Sequence, residues 1–273
     1  MRRYLKSGFT MALHQPFAVI LMFLYQAGWG VLLYKMIQSI LLPLMHRYPG
    51  AEQPAFALKL FLAESQFQLF KTDLIQPYIW WLASLFVLRM LVTPLLNAGI
   101  YYSLAHPELN AGYRFVKGIR ELSLRFFLAY IVQISLTLTP LFWLVPKFQT
   151  SWSTQSSYVS ALTAIMPWLI AYLFYSYLLR LCFTYIQFTQ VSRVPLLSSF
   201  SILLRHGGLI LMIGIILLIF SGLLTGTVMT AAYIWTGFIA LLIYQLYPFC
   251  NMFLQIWSLS AQFQLWSSKN NMQ

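Results

Sequence analysis

The stretch GLILMIGIILLIFSGLLTGTVMT, residues 208–230, contains no charged side chain. At ~1.5 Å per residue a helix of this length crosses a ~30 Å hydrocarbon core. The same reading extends to residues 17–41, 78–104, 126–146, 160–186 and 233–258. The predicted fold class is therefore all-α: a polytopic membrane helical bundle, one membrane domain over residues 1–273 with six transmembrane helices. The last two spans are separated only near Thr227–Tyr233, which implies an antiparallel hairpin.

Composition agrees with that solvent. Hydrophobic residues make up 60% of the chain and charged residues 8%, against ~25% charged in soluble domains. So few charges cannot cover a water-facing surface, whereas a lipid-facing one needs none. Aromatic content of 18%, with 9 Trp and 17 Tyr, suits a chain that meets two membrane–water interfaces. The net charge of +12 sets 17 basic against 5 acidic residues, with no basic cluster interleaved with aromatics. That balance implies no nucleic acid. It points instead to membrane orientation and to contact with anionic headgroups of the lipid bilayer.

The N-terminal Arg2-Arg3-Tyr4-Leu5-Lys6 resembles a signal n-region. The apolar stretch after Pro16 is too long for an h-region and no small-x-small site follows, so an uncleaved start is expected. Cys182 and Cys250 fall in apolar segments and read as small hydrophobic residues.

Loop charges give the orientation. Residues 1–16, 105–125, 187–207 and 259–273 hold Arg2, Arg3, Lys6, Arg114, Lys117, Arg120, Arg125, Arg193, Arg205 and Lys269. The opposite loops hold Arg47, Lys59, Lys71 and Lys147. Ten against four places both termini in the cytoplasm of a bacterial-type cell. Trp80, Trp81, Trp143, Trp152 and Trp235 would anchor the outer interface; Tyr101, Tyr102, Trp257 and Trp266 would anchor the inner one. Residues 54–71 are apolar at helical spacing but carry Lys59 and Glu64, which predicts an interfacial helix on the outer surface.

A weak self-similarity runs through the chain. Leu5-Lys6-Ser7-Gly8-Phe9-Thr10, Phe115-Val116-Lys117-Gly118-Ile119-Arg120 and Leu196-Leu197-Ser198-Ser199-Phe200-Ser201 each precede an outward-going span. The returning spans echo one another in Pro94-Leu95-Leu96-Asn97 and Pro248-Phe249-Cys250-Asn251, and in Leu88-Arg89-Met90-Leu91 and Leu179-Arg180-Leu181-Cys182. Three copies of an interfacial helix followed by a helical hairpin would account for this. With Pro94–Tyr101, the Phe115–Arg125 linker and Gln190–Gly208, the layout loosely resembles bacterial six-helix families related to the membrane domain of glycerophosphodiester phosphodiesterases. The resemblance is one of pattern, over nearly the whole chain. It implies a six-helix membrane fold; no catalytic domain accompanies it, so no activity carries over.

Charges inside spans are the first functional candidates, because lipid makes them costly. Arg89 lies near the middle of span two; it could hold an anionic substrate or headgroup in a cavity, or satisfy backbone carbonyls and snorkel. Arg180 and Lys35 lie nearer span ends and read as snorkelling. Asn97 and Asn251, three residues after helix-kinking prolines, could line a cavity or serve helix packing. Arg114, Lys117, Arg120 and Arg125 are the candidate lipid-contacting cations. Gly222 and Gly226 form a Gly-x-x-x-Gly face suited to helix contact.

No carboxylate or histidine lies inside a predicted span to act as a base, and no phosphate-binding Gly-x-x-x-x-Gly-Lys occurs. The histidines are not spaced as metal ligands. The expectation is a non-enzymatic scaffold or accessory subunit without a cofactor, binding lipid or another membrane protein. The alternative is the permease subunit of an exporter driven by a separate ATPase.

Overall fold

The computed structural model describes residues 1–46, 56, 76–154, 158–234 and 238–270. Its elements are α1 (Arg2–Leu13), α2 (Pro16–His46), α3 (Gln76–Ala105), α4 (Ala111–Leu138), α5 (Leu141–Thr154), α6 (Tyr158–Ser192), α7 (Leu196–Ile234) and α8 (Phe238–Asn270). No strand occurs among the described residues. Five stretches are long and apolar enough to cross a membrane: 16–39, 78–105, 111–154, 162–192 and 200–231. The sixth predicted span falls on α8, where the side chains of residues 238–244 lie outside the described set. The predicted interfacial helix at 54–71 also lies outside it, apart from Phe56.

Several boundaries differ from expectation. Span three does not run unbroken to residue 146. α4 stops at Leu138, Thr139-Pro140 forms a turn, and α5 continues to Thr154, because a proline cannot supply the N–H that would continue the ladder. α7 absorbs both the amphipathic stretch and span five, with a non-helical His206 (φ −121°, ψ 15°) between them. Residues 259–270 continue α8 rather than forming a tail. They hold some of the best-buried positions in the chain: Ser260, Ala261 and Leu265 are each 0% exposed.

The chain divides into two compact units, residues 1–19 with 94–273, and residues 20–93. In the larger unit burial concentrates at one end. Phe188 of α6 is its hub: its ring meets Tyr101 of α3 at 5.2 Å, Tyr185 at 5.7 Å, and Phe263 and Trp266 of α8 at 5.3 and 6.0 Å. Polar groups are buried there too. Tyr185 donates to Gln262 Oε1 (2.7 Å), Gln262 Nε2 donates to the Ile210 carbonyl (3.1 Å), and Gln15 Nε2 donates to the Ser103 carbonyl (3.0 Å). Such bonds are worth more once desolvated, since an unmade one costs the full desolvation of its group.

α1 belongs to this packed end. A Cβ on Gly8 would sit 2.6 Å from the Ala261 Cα, so glycine is what allows α1 to touch the α8 backbone. Trp257 Nε1 donates to the Leu5 carbonyl (3.0 Å), and Phe9 packs edge-on to Phe253 and Trp257 at 5.5 and 5.1 Å. The face of α1 that carries Gly8 and Ala12 is covered by α8.

Away from that end, α4 to α7 carry their apolar side chains outward. Leu128, Phe142, Phe174, Leu218 and Leu223 are all exposed. Lipid solvates such surface, so no apolar core is demanded between these segments. The smaller unit pairs α2 with α3 through a hydrogen bond between the Tyr25 and Thr93 hydroxyls (2.9 Å).

Candidate functional site

The loop between α3 and α4 is short, spanning His106 to Asn110, and two glycines set its geometry. A Cβ on Gly99 would meet the Phe115 ring at 2.6 Å, and one on Gly118 would meet the Tyr102 Cβ at 2.5 Å. The two helices therefore approach with almost no side chain between them at these points. Arg114 fastens the loop. It is 4% exposed and its Nη1 donates to the Pro107 carbonyl at 3.2 Å. Arg114 was expected to face lipid headgroups; its burial corrects that reading, because the chain uses its guanidinium to satisfy a loop carbonyl.

One turn further along α4, Lys117 and Glu121 face the C-terminal end of α6. Here a cavity of about 420 Å³ opens, lined by Tyr102 and His106 of the α3 side, Lys117 and Glu121 of α4, Ser192 at the end of α6 and Arg193 just beyond it. Glu121 lies between two cations: Lys117 Nζ at 3.9 Å and Arg193 Nη2 at 3.5 Å. Lys117 also stands about 6.0 Å from the Tyr102 ring and 5.9 Å from the Tyr113 ring. His106 stacks on Tyr102 with centroids 4.2 Å apart, its Nδ1 3.2 Å from the Tyr102 carbonyl.

Arg193 is held in an unusual way. It has φ 55°, the one positive φ at a non-glycine residue among those described. The Val194 N–H bonds to the Thr189 carbonyl at 3.2 Å, the closing bond of a Schellman turn whose left-handed position usually belongs to glycine. Pro195 then blocks any continuation of α6. An arginine there costs of order 1 kcal/mol of backbone strain, and strain of that kind collects at functional positions. What it gains is a guanidinium delivered to the cavity mouth.

The predicted site residues are scattered around this feature. Lys117 lines the cavity. Arg120 and Arg125 are exposed on α4 but do not line it. Arg180 is exposed on α6, with Thr184 donating to its carbonyl at 2.9 Å. Asn97 and Asn251 are half-buried. Arg89 occupies no cavity; it is exposed on α3, its guanidinium 5.9 Å from the Trp29 ring.

Sequence reading missed Glu121 and Arg193 as a pair, since 72 positions separate them (193 − 121). The available signal was Arg193-Val194-Pro195, a helix stop with a cation where glycine is customary. The chain matches no protein-family model, no curated protein and no solved structure.

Proposed function

We propose that this chain is a non-enzymatic protein of the cytoplasmic membrane whose packed end faces the cytoplasm and holds a phosphate-bearing lipid headgroup in the Lys117–Arg193 cavity. In this reading it has six spans, arranged as three hairpins, with both termini inside. The observation that carries it is the convergence of Lys117 and Arg193 on a single carboxylate, Glu121, at the mouth of a 420 Å³ polar cavity. Two cations sharing one carboxylate retain net positive charge, and an arginine fork matches phosphate oxygens in pairs. Exposed Tyr113 and Val116 stand on α4 close in sequence to Lys117, an apolar flank suited to the start of an acyl chain. The anionic inner leaflet supplies such a ligand, with each cation contributing up to about 1 kcal/mol. The close contacts at Gly8 and Gly118, matching positions of the self-similar stretches, support the hairpin reading.

The test is native mass spectrometry of the detergent-extracted protein with phosphatidylglycerol and phosphatidylcholine. Wild-type protein should retain phosphatidylglycerol selectively. Lys117→Gln with Arg193→Gly should reduce that retention by roughly 30-fold, two cations' worth. Arg193→Gly preserves the turn, so folding is not at stake. Equal retention by the double variant would refute the site, and Glu121→Gln should tighten retention by freeing both cations.

A further inference from the structure

Arg89 presents a separate problem. It sits 11 positions from Tyr78 and 16 from Ala105, the ends of its span (89 − 78; 105 − 89). These are ~16 Å and ~24 Å along a helix, further than an arginine side chain can snorkel. A guanidinium within a span is costly to insert. Residues that costly are normally paired within the membrane.

Among the described residues no carboxylate pairs with it. The chain's five acidic residues are Glu52, Glu64, Asp73, Glu108 and Glu121, and none lies in α2 or α3. Trp29 stands beneath the guanidinium at 5.9 Å, which partly compensates the charge without neutralising it. Thr93 Oγ1 donates to the Arg89 carbonyl at 2.7 Å and meets the Tyr25 hydroxyl at 2.9 Å. Leu82 and Phe86, seven and three residues earlier on the same helical face, are 53% and 60% exposed. The result is an exposed apolar face carrying one positive charge well inside a candidate span.

From this charge complementarity we infer that the Leu82–Phe86–Arg89 face of α3 docks a transmembrane helix of another protein, one that carries Asp or Glu at mid-span. The ion pair supplies register and the flanking apolar side chains supply packing.

The experiment uses the full chain in phosphatidylcholine vesicles with a synthetic Leu/Ala transmembrane peptide bearing a central Glu. Association is read by energy transfer between dyes on the two partners. At least tenfold weaker association is expected when the peptide's Glu is Gln, and again for Arg89→Leu with the Glu peptide. Arg89→Leu removes a charge from lipid and should fold at least as well, so its loss of binding cannot be ascribed to unfolding. Arg89→Lys should retain most of the association, and the Lys117→Gln, Arg193→Gly protein should be unaffected. Equal association of the Glu and Gln peptides would overturn the inference. So would displacement of the Glu peptide by phosphatidylglycerol, which would mean that Arg89 takes a lipid phosphate.

Discussion

The two ends of α6 obey different rules. From Tyr185 to Val191 it is largely buried, with Thr189 and Tyr185 at 0% exposure and Gln187 at 5%. From Leu162 to Phe174 it is mostly exposed, although it is no less apolar. The exposed stretch is in fact the more apolar of the two, while Gln187 and Gln190 lie in the packed one; surroundings, not hydropathy, decide which is buried. In hydrocarbon an outward Leu or Phe costs nothing, so that part of α6 needs only to be apolar. At the packed end the chain must exclude water from its own backbone and polar groups. There side chains interlock, glycines mark backbone contacts, and hydrogen bonds are internal. Shape specificity is thus concentrated at the packed end, and the candidate site lies beside it.

Substitutions can sharpen or break this contrast. A large effect is expected from Gly8→Val. Its Cβ would meet backbone atoms of Ala261 that cannot give way, and overpacking of this kind costs about 1–3 kcal/mol or more. The new site should open to protease within α1 in extracted protein while the spans stay inserted. Retained protection would show that the α1–α8 contact is loose.

Gln262→Leu comes next. It removes both the acceptor of the Tyr185 hydroxyl and the donor to the Ile210 carbonyl, leaving buried groups unpaired at about 1–3 kcal/mol. Thermal unfolding in nanodiscs would read it, and a matching Tyr185→Phe, Gln262→Leu double variant should lose less than the sum of the single losses.

A smaller effect, of opposite sign, is expected on the outward face of α7. Among the described residues, Cβ atoms at Gly222 and Gly226 meet nothing within 4 Å. Gly222→Ala and Gly226→Ala should therefore be neutral or stabilise α7 by roughly 0.5–1 kcal/mol each. A marked loss of stability in the same assay would mean that this face is packed after all.

The helical membrane architecture was legible because a bilayer imposes a length and a composition that few other structures share. The run at 208–230 needed no alignment to be read. The packed end was opaque for the converse reason. Ser258, Ser260, Gln262 and Gln264 look like a water-facing tail in a hydropathy profile, yet the structure buries Gln262 against Tyr185 and the Ile210 carbonyl. A buried polar group is affordable only through partners distant in sequence, and one sequence does not display those partners. Arg114 failed in the same way. As a basic loop residue it reads as facing lipid, and only the Pro107 carbonyl explains why it turns inward. Lys117 was recognisable as a cation, but its cavity depends on Arg193, whose left-handed turn breaks the usual glycine preference.

The most direct measurement compares Phe188→Ala with Phe174→Ala by reversible unfolding in the same bilayer mimetic. Both are phenylalanines of α6, one 1% exposed and the other 56% exposed. Phe188→Ala should lose about 3–5 kcal/mol, as a large cavity in a close-packed core does. Phe174→Ala should lose no more than about 0.5 kcal/mol, as surface substitutions do. Equal losses at the two positions would contradict the division between a packed end and lipid-solvated spans.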